Sequence, residues 1–261
     1  MEQLVLREDR GAVAHLTLNA PQNLNALSDA MLAALKAETD RIATDPAIRV
    51  VVLSGAGRAF CAGHDLREMQ AARQAPDGGR AAYADLFARC SEVMIGLSRL
   101  PQPVIAQVHG IAAAAGCQLV ASCDMAVAAE DARFGVNGVN IGLFCSTPMV
   151  ALTRAVPRKV AFEMLVTGRL IGAEEAARIG LINRAVPPER LAEETEALAR
   201  TVAAKLGAAV RIGKRAFHDQ IALPVEEAYA LTGEVIAHNM MLEDTAEGIA
   251  AFLDKRPPAW A

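Results

Sequence analysis

Apolar positions follow two rhythms along this chain, and the switch between them sets the expected fold. Residues 104–108, Val-Ile-Ala-Gln-Val, form a short run rich in β-branched side chains, which suits a buried strand. Gly110 breaks that run, small residues fill 112–116, and a helical pattern begins with Leu119 and Val120. The first turn of a helix presents amides with no intrahelical acceptor, at the positive end of the peptide dipole. Such a place suits a phosphate, a carboxylate or a carbonyl oxygen that gains charge during a reaction. Close packing of a helix on a sheet accounts for the same small residues equally well.

Strand patterns recur at 4–7, 12–18, 50–53, 124–128 and 181–186. Between them the 3.6-residue rhythm predicts helices. One runs over 28–43, capped by Ser28, with Met31, Leu35 and Ile42 on one stripe. Others cover 81–100, closed by Pro101; 147–155; 158–166, with Gly168 just beyond; and 173–179, closed by Gly180. Residues 19–26, with Pro21 and three asparagines, read as a loop, and 70–80, with Pro76 and Gly78-Gly79, as a mobile one. Residues 134–140 carry two glycines and two asparagines and read as an irregular, pocket-lining segment. After Pro187-Pro188 no strand rhythm returns. Three or four helices follow, the last opening at Asp244-Thr-Ala-Glu247 in a capping-box arrangement. The pattern predicts an α/β core over 1–188 and a helical region over 189–261, whose Val235, Ile236 and Met240 suit burial against a second subunit.

At 261 residues the chain has ample length for a core, and although 53% of it is apolar it has no run of eighteen apolar residues, so no membrane span is expected. A net charge of −4 and a pI near 5.8 argue against a broad nucleic-acid footprint. Cysteines 61, 90, 117, 123 and 145 form no CxxC pair and no metal-type spacing, which fits reduced thiols and no metal site. Met1-Glu2-Gln3 lacks the basic start and apolar stretch of a secretory leader, so a cytoplasmic protein is expected.

Residues 58–67, Arg-Ala-Phe-Cys-Ala-Gly-His-Asp-Leu-Arg, are the second informative stretch. Gly63 permits a tight turn and Asp65 is placed to cap a helix beginning at 66, leaving the His64 amide free to point outward. A plain loop-to-helix turn explains the stretch as well. Two such turns, at 64 and at 115, would supply two amides to one oxygen.

Residues 19–27 (Asn-Ala-Pro-Gln-Asn-Leu-Asn-Ala-Leu), 59–66, 103–106 (Pro-Val-Ile-Ala) with Gly110, 115–119 (Ala-Gly-Cys-Gln-Leu) and 252–256 (Phe-Leu-Asp-Lys-Arg) together resemble the enoyl-CoA hydratase/isomerase (crotonase) superfamily. The resemblance runs in order along nearly the whole chain. It implies an α/β fold, a crotonase-like spiral of ββα units with a C-terminal helical trimerisation region, assembled as a homotrimer or a dimer of trimers. It implies an acyl-CoA thioester as ligand, with coenzyme A as part of the substrate and no separate cofactor. By position the thioester oxygen would meet the amides of His64 and Ala115. Gln22, Asn23, Leu24, Ala62, Asp65 and Leu66 would lie along the coenzyme A, and Lys255 of a neighbouring copy would approach its phosphates.

The departures matter as much. Hydratases that this chain resembles activate water with two glutamates, whose positions fall here on Gln118 and Gly138. A neutral amide orients water but exchanges no proton at ordinary pH. A positioned acid or base contributes about 10²–10⁴-fold, so ordinary hydration is expected to be crippled and to return only with Gln118→Glu and Gly138→Glu together. The segment 137–148 resembles the subgroup called enoyl-CoA hydratase domain-containing protein 3, and places Asn137, Asn140, Cys145 and Ser146 at a possible acyl pocket. Cys117 reads as a small buried thiol, and His15, His109 and Asp124 as structural groups. Two functional readings follow: a lyase- or isomerase-type enzyme, decarboxylation included, that polarises a thioester; or a non-catalytic acyl-CoA-binding or oligomeric interaction protein. A serine hydrolase on the related Clp-protease spiral is disfavoured, because no GxSxG is present.

Overall fold

The computed structural model describes residues 3–259. Met1 and Glu2, on which the leader reading partly rests, lie outside the described residues. Strands β1 (Val5–Arg10), β2 (Val13–Leu18), β3 (Val50–Gly55) and β4 (Val104–Val108) begin the larger of two sheets. A short strand β5 (Ile111–Ala113) leaves it, β6 (Met125–Ala129) returns, and β7 (Arg133–Gly135) and β8 (Ile171–Gly172) leave again before β9 (Arg184–Val186) closes it. The larger sheet has the order β1-β2-β3-β4-β6-β9 and the smaller one β5-β7-β8. All neighbours in the larger sheet are parallel except β1 and β2. Each of β4 and β6 therefore hands the chain to a strand of the small sheet before a helix follows, which is the repeating ββα step. The small strands are two or three residues long, too short to show an alternation, and the sequence reading missed them.

Eleven α-helices stand among the described residues: α1 (Asp29–Ala43), α2 (Leu66–Ala72), α3 (Arg80–Arg99), α4 (Ala115–Ser122), α5 (Ser146–Ala155), α6 (Arg158–Thr167), α7 (Ala173–Arg178), α8 (Leu191–Ala203), α9 (Gly207–Gln220), α10 (Val225–Met240) and α11 (Glu243–Leu253). None is long and apolar enough to cross a membrane. The Val-Val-Val-Leu start of β3 is apolar throughout because both faces are covered. Val51 and Leu53 join the main core, while Val50 and Val52 pack with Val13, Ile105 and Ala199 of α8 on the other side. Thus α8 belongs to the sheet layer, and the helices that stand off it start at Gly207.

Ser28 caps α1 by accepting from the Met31 amide at 3.1 Å, as its position predicts. Residues 73–79 are a tied turn instead of the mobile loop expected there: Asp77 accepts from the Gly79 and Ala81 amides, both at 2.9 Å. The Tyr83 hydroxyl also donates to the Met69 carbonyl at 2.8 Å. The helix start expected at Asp244 is displaced. Helix α11 begins one residue earlier, after Leu242, so Asp244 lies inside the first turn.

One buried ion pair ties α9 to the core. The Lys214 ammonium donates to Asp124 Oδ2 at 2.6 Å and to the Leu97 and Gln102 carbonyls at 2.9 and 3.0 Å. Asp124 also accepts from the Val104 amide at 2.7 Å, and its second oxygen lies 3.0 Å from His218 Nε2. Burial lowers the Lys214 pKa against the opposing pull of Asp124.

Candidate active site

Three loops meet at a cavity of about 680 Å³. The first, 19–27, is folded around a fully buried Asn25. That side chain accepts from the Ala20 amide at 2.9 Å and donates to the Ala56 and Ala59 carbonyls at 2.9 and 2.8 Å. Its amide group thereby locks the first loop onto the second. The pairing continues with Leu27 N donating to the Gly63 carbonyl at 2.7 Å and Ala62 N to the Leu24 carbonyl at 3.0 Å. On its other side the second loop is stitched to the third: Cys61 N donates to the Ile111 carbonyl at 3.1 Å and Ala113 N to the Cys61 carbonyl at 3.0 Å.

Contact between the second and third loops leaves no room for side chains. A Cβ on Gly116 would stand 2.1 Å from the Cys61 carbonyl oxygen. At Gly63, with φ of +103°, a Cβ would stand 3.1 Å from the Ala113 carbonyl oxygen and 3.5 Å from the Ala115 nitrogen. The residue just before His64 is therefore pressed against the start of α4. Neither the His64 amide nor the Ala115 amide has a hydrogen-bond partner among the described residues. Ala114, between them, has φ of 50° and ψ of −116°, a conformation that strains an alanine. Such strain costs about 1–3 kcal/mol and persists only where the surrounding structure imposes it, commonly at functional sites.

Side chains complete the wall. Asp65 caps α2, accepting from the Arg67 and Glu68 amides at 2.8 and 3.4 Å, as the sequence predicts. His64 Nδ1 lies 3.3 Å from the Leu27 carbonyl and its ring meets Phe87 edge-on at 5.6 Å. Burial lowers the His64 pKa, with the Leu27 hydrogen bond and Asp29 opposing. The imidazole is therefore neutral at pH 7. Across the cavity, Gly138 N donates to Cys145 Sγ at 3.3 Å, and burial pushes the Cys145 thiol up, the Gly138 amide opposing. Asn140 donates to the Gly168 carbonyl at 3.3 Å and the Ser146 hydroxyl to the Phe144 carbonyl at 3.3 Å.

Of the residues singled out from sequence, Gln22, Asn23, Leu24, Ala62, His64, Asp65, Leu66, Ala115, Asn137, Gly138, Asn140, Cys145 and Ser146 all line this cavity. Two do not. Gln118 lies one turn into α4, is buried, and has a side-chain oxygen without a partner. Helix α4 leads inward from Ala115, so a residue three places on is carried behind the wall. Lys255 is exposed beyond the end of α11, away from the cavity of its own chain. Cys117 is buried with its thiol pushed up to about 12 by desolvation, as befits an inert core group. Phe87, Met69 and the apolar lip of Ile141, Leu143 and Phe144 escaped the sequence reading. Nothing local marks them, since α3 and the 141–144 turn reach the site only through folding.

Residues 8–261 match the sequence profile described as Enoyl-CoA hydratase/isomerase. The chain belongs to the enoyl-CoA hydratase/isomerase family. It superposes on the crystal structure of an enoyl-CoA hydratase from Mycobacterium smegmatis with a TM-score of 0.95, at 55% identity over 99% of each chain. Against human enoyl Coenzyme A hydratase domain-containing protein 3 the TM-score is 0.94, at 44% identity over 98% of this chain and 100% of that one. The fold is that of the crotonases, as the sequence implied. Among curated relatives, human enoyl-CoA hydratase domain-containing protein 3 is 46% identical over 95% of this chain and 80% of its own length.

That protein and its Xenopus, rat, mouse and zebrafish counterparts are named mitochondrial. These names overturn the cytoplasmic expectation. The expectation rested on unpaired thiols and on the lack of a secretory-leader pattern, which do not distinguish one reducing compartment from another.

Proposed function

We propose that the cavity binds an acyl-CoA thioester and polarises its carbonyl between the amides of His64 and Ala115. The observation that carries this reading is the pair of unpartnered main-chain donors on two loops pressed together at one cavity wall. Reaction at Cα or Cβ of an acyl thioester places negative charge on its oxygen. Donors held in advance at that oxygen need no reorganisation, and each is worth about 3–4 kcal/mol of barrier. Gln22, Asn23, Leu24, Ala62, Asp65 and Leu66 give the coenzyme A its bed, while Phe87, Met69, Leu143 and Phe144 offer the acyl chain an apolar wall. Lyase- or isomerase-type chemistry follows, with no cofactor beyond coenzyme A itself.

Assembly into a trimer, or a dimer of trimers, accompanies this reading. Across α9, α10 and α11 only Lys214 and Ala251 are buried, while Tyr229, Ile236, Met240 and Phe252 are exposed. Such a face is covered by another copy of the chain more readily than by water. In the assembly Lys255 of an adjacent copy is the cation for the coenzyme A phosphates.

Thioesters should raise the melting temperature while the matching free acids do not. At a concentration near 100 times Kd the gain is about 2.7 kcal/mol, several degrees for a chain of this size. No shift with any thioester removes the proposal. Crotonyl-CoA should bind with negligible hydration, because Gln118 is neutral and Gly138 has no side chain; robust hydration contradicts that part. A second reading, a binder without catalysis, is favoured by one feature: Asp65 is the only carboxylate among the lining residues, and helix capping occupies it. Mass spectrometry of malonyl-type, enoyl and 3-hydroxyacyl thioesters after incubation separates the two by the presence or absence of new product.

A further inference from the structure

We infer that the acyl group taken by this cavity is a long fatty chain, which leaves the cavity over the turn at 141–144. The inference rests on the thioester reading above and adds the class of acyl group to it.

The cavity is amphipathic. Its charged lining side chains, Arg58, Asp65 and Arg67, all come from the second loop and the start of α2. Asp65 is engaged in capping, and neither arginine has an ion-pair partner among the described residues. That side of the cavity is therefore cationic. The opposite side, lined from 137 to 148, belongs to a stretch that carries no charged side chain between 134 and 153. A ligand with an anionic head and an apolar tail matches both sides at once.

The apolar side does not end inside the protein. Cys145 is buried, Phe87 and Met69 are half-buried, and Ile141, Leu143 and Phe144 are 61%, 40% and 45% exposed. All six line the cavity, so its apolar surface continues to the open face of the molecule. Apolar area left in water is unfavourable, and a contiguous patch of it at a cavity mouth marks a place where a ligand lies.

The lip is also fixed, so it cannot fold inward to cover itself. Gly142, in the left-handed region at φ of +80°, donates to the Val139 carbonyl at 3.1 Å, and Leu143 donates to the Gly138 carbonyl at 2.9 Å. Asn140 and Ser146, the polar side chains that flank the turn, are bonded to the protein, at the Gly168 and Phe144 carbonyls. What meets a chain crossing the turn is then Ile141, Leu143 and Phe144. A short acyl group stops before this lip, whereas a long one covers it.

The test is a chain-length series. Dissociation constants of butyryl-, octanoyl- and lauroyl-CoA for the full-length protein are measured by calorimetry, with sedimentation run alongside. Each methylene that reaches the wall should tighten binding about two- to fourfold, so lauroyl-CoA should bind at least about 100-fold more tightly than butyryl-CoA. Ile141→Ser combined with Phe144→Ser should shrink that ratio by about tenfold or more. Phe144→Ala serves if the double variant folds poorly, and the wild-type series decides if neither folds. Equal affinities across the series in wild type, or an undiminished ratio in the double variant, overturns the inference. So does lauric acid binding as tightly as lauroyl-CoA, or a lip substitution that changes the sedimenting mass, which would assign the lip to a second copy of the chain. In each of these cases bound butyryl-CoA leaves the thioester site standing. Failure of every thioester in the series to bind sinks the thioester reading and this inference with it.

Discussion

Asp124→Ala is expected to lower the unfolding free energy by about 3–5 kcal/mol, the range for removing one partner of a buried ion pair. The Lys214 side chain is 6% exposed and its ammonium has three acceptors, of which Asp124 is the only charged one. Without that carboxylate the cation remains desolvated beside two carbonyls, and the Val104 amide loses its acceptor at the start of β4. Lys214→Met should cost less, because it removes the charge instead of stranding it. Urea unfolding with an unchanged slope measures both. A loss below about 1 kcal/mol for Asp124→Ala would mean that water or His218 compensates, and that α9 is held by something else.

Restoring both glutamates, by Gln118→Glu with Gly138→Glu, is expected to yield an unstable protein and no hydratase. That reverses the expectation drawn from sequence. A Cβ at 138 would stand 2.5 Å from the Leu143 carbonyl oxygen and 2.9 Å from Cys145 Sγ. The Leu143 amide also donates to the Gly138 carbonyl at 2.9 Å, so the loop is closed upon itself and cannot give way at a side-chain tip. Even Gly138→Ala should cost about 1–3 kcal/mol by overpacking. Gln118→Glu adds a carboxylate at a position 4% exposed whose oxygen already lacks a partner, and there ionisation is disfavoured. Denaturation midpoints of the single and double variants, with crotonyl-CoA turnover, provide the check. A stable double variant with strong hydration would show that the 137–145 turn refolds to admit a side chain.

Much of the site was legible because its parts are local. Ser28 and Asp65 announce helix starts through a single side-chain bond to an amide two or three residues on. The glycines at 63 and 116 mark close backbone approach. Gln118 shows where locality stops informing. Its place in the sequence is beside the donor loop, but helix α4 turns it into the core. Phe87, which frames the His64 ring, carries no local mark at all, since it is one apolar position among several on a long amphipathic helix.

The amino-acid sequence by itself determined the strands of the larger sheet, the helices between them, the caps at Ser28 and Asp65, and the close approach marked by Gly63 and Gly116. Those features depend on side chains within a few residues of one another. Only the tertiary structure decided which groups face the cavity, that Lys214 meets Asp124 across ninety residues, and that the space beside Gly138 is already occupied. Such outcomes depend on where distant backbone segments come to rest, and spacing along the chain carries no record of that distance.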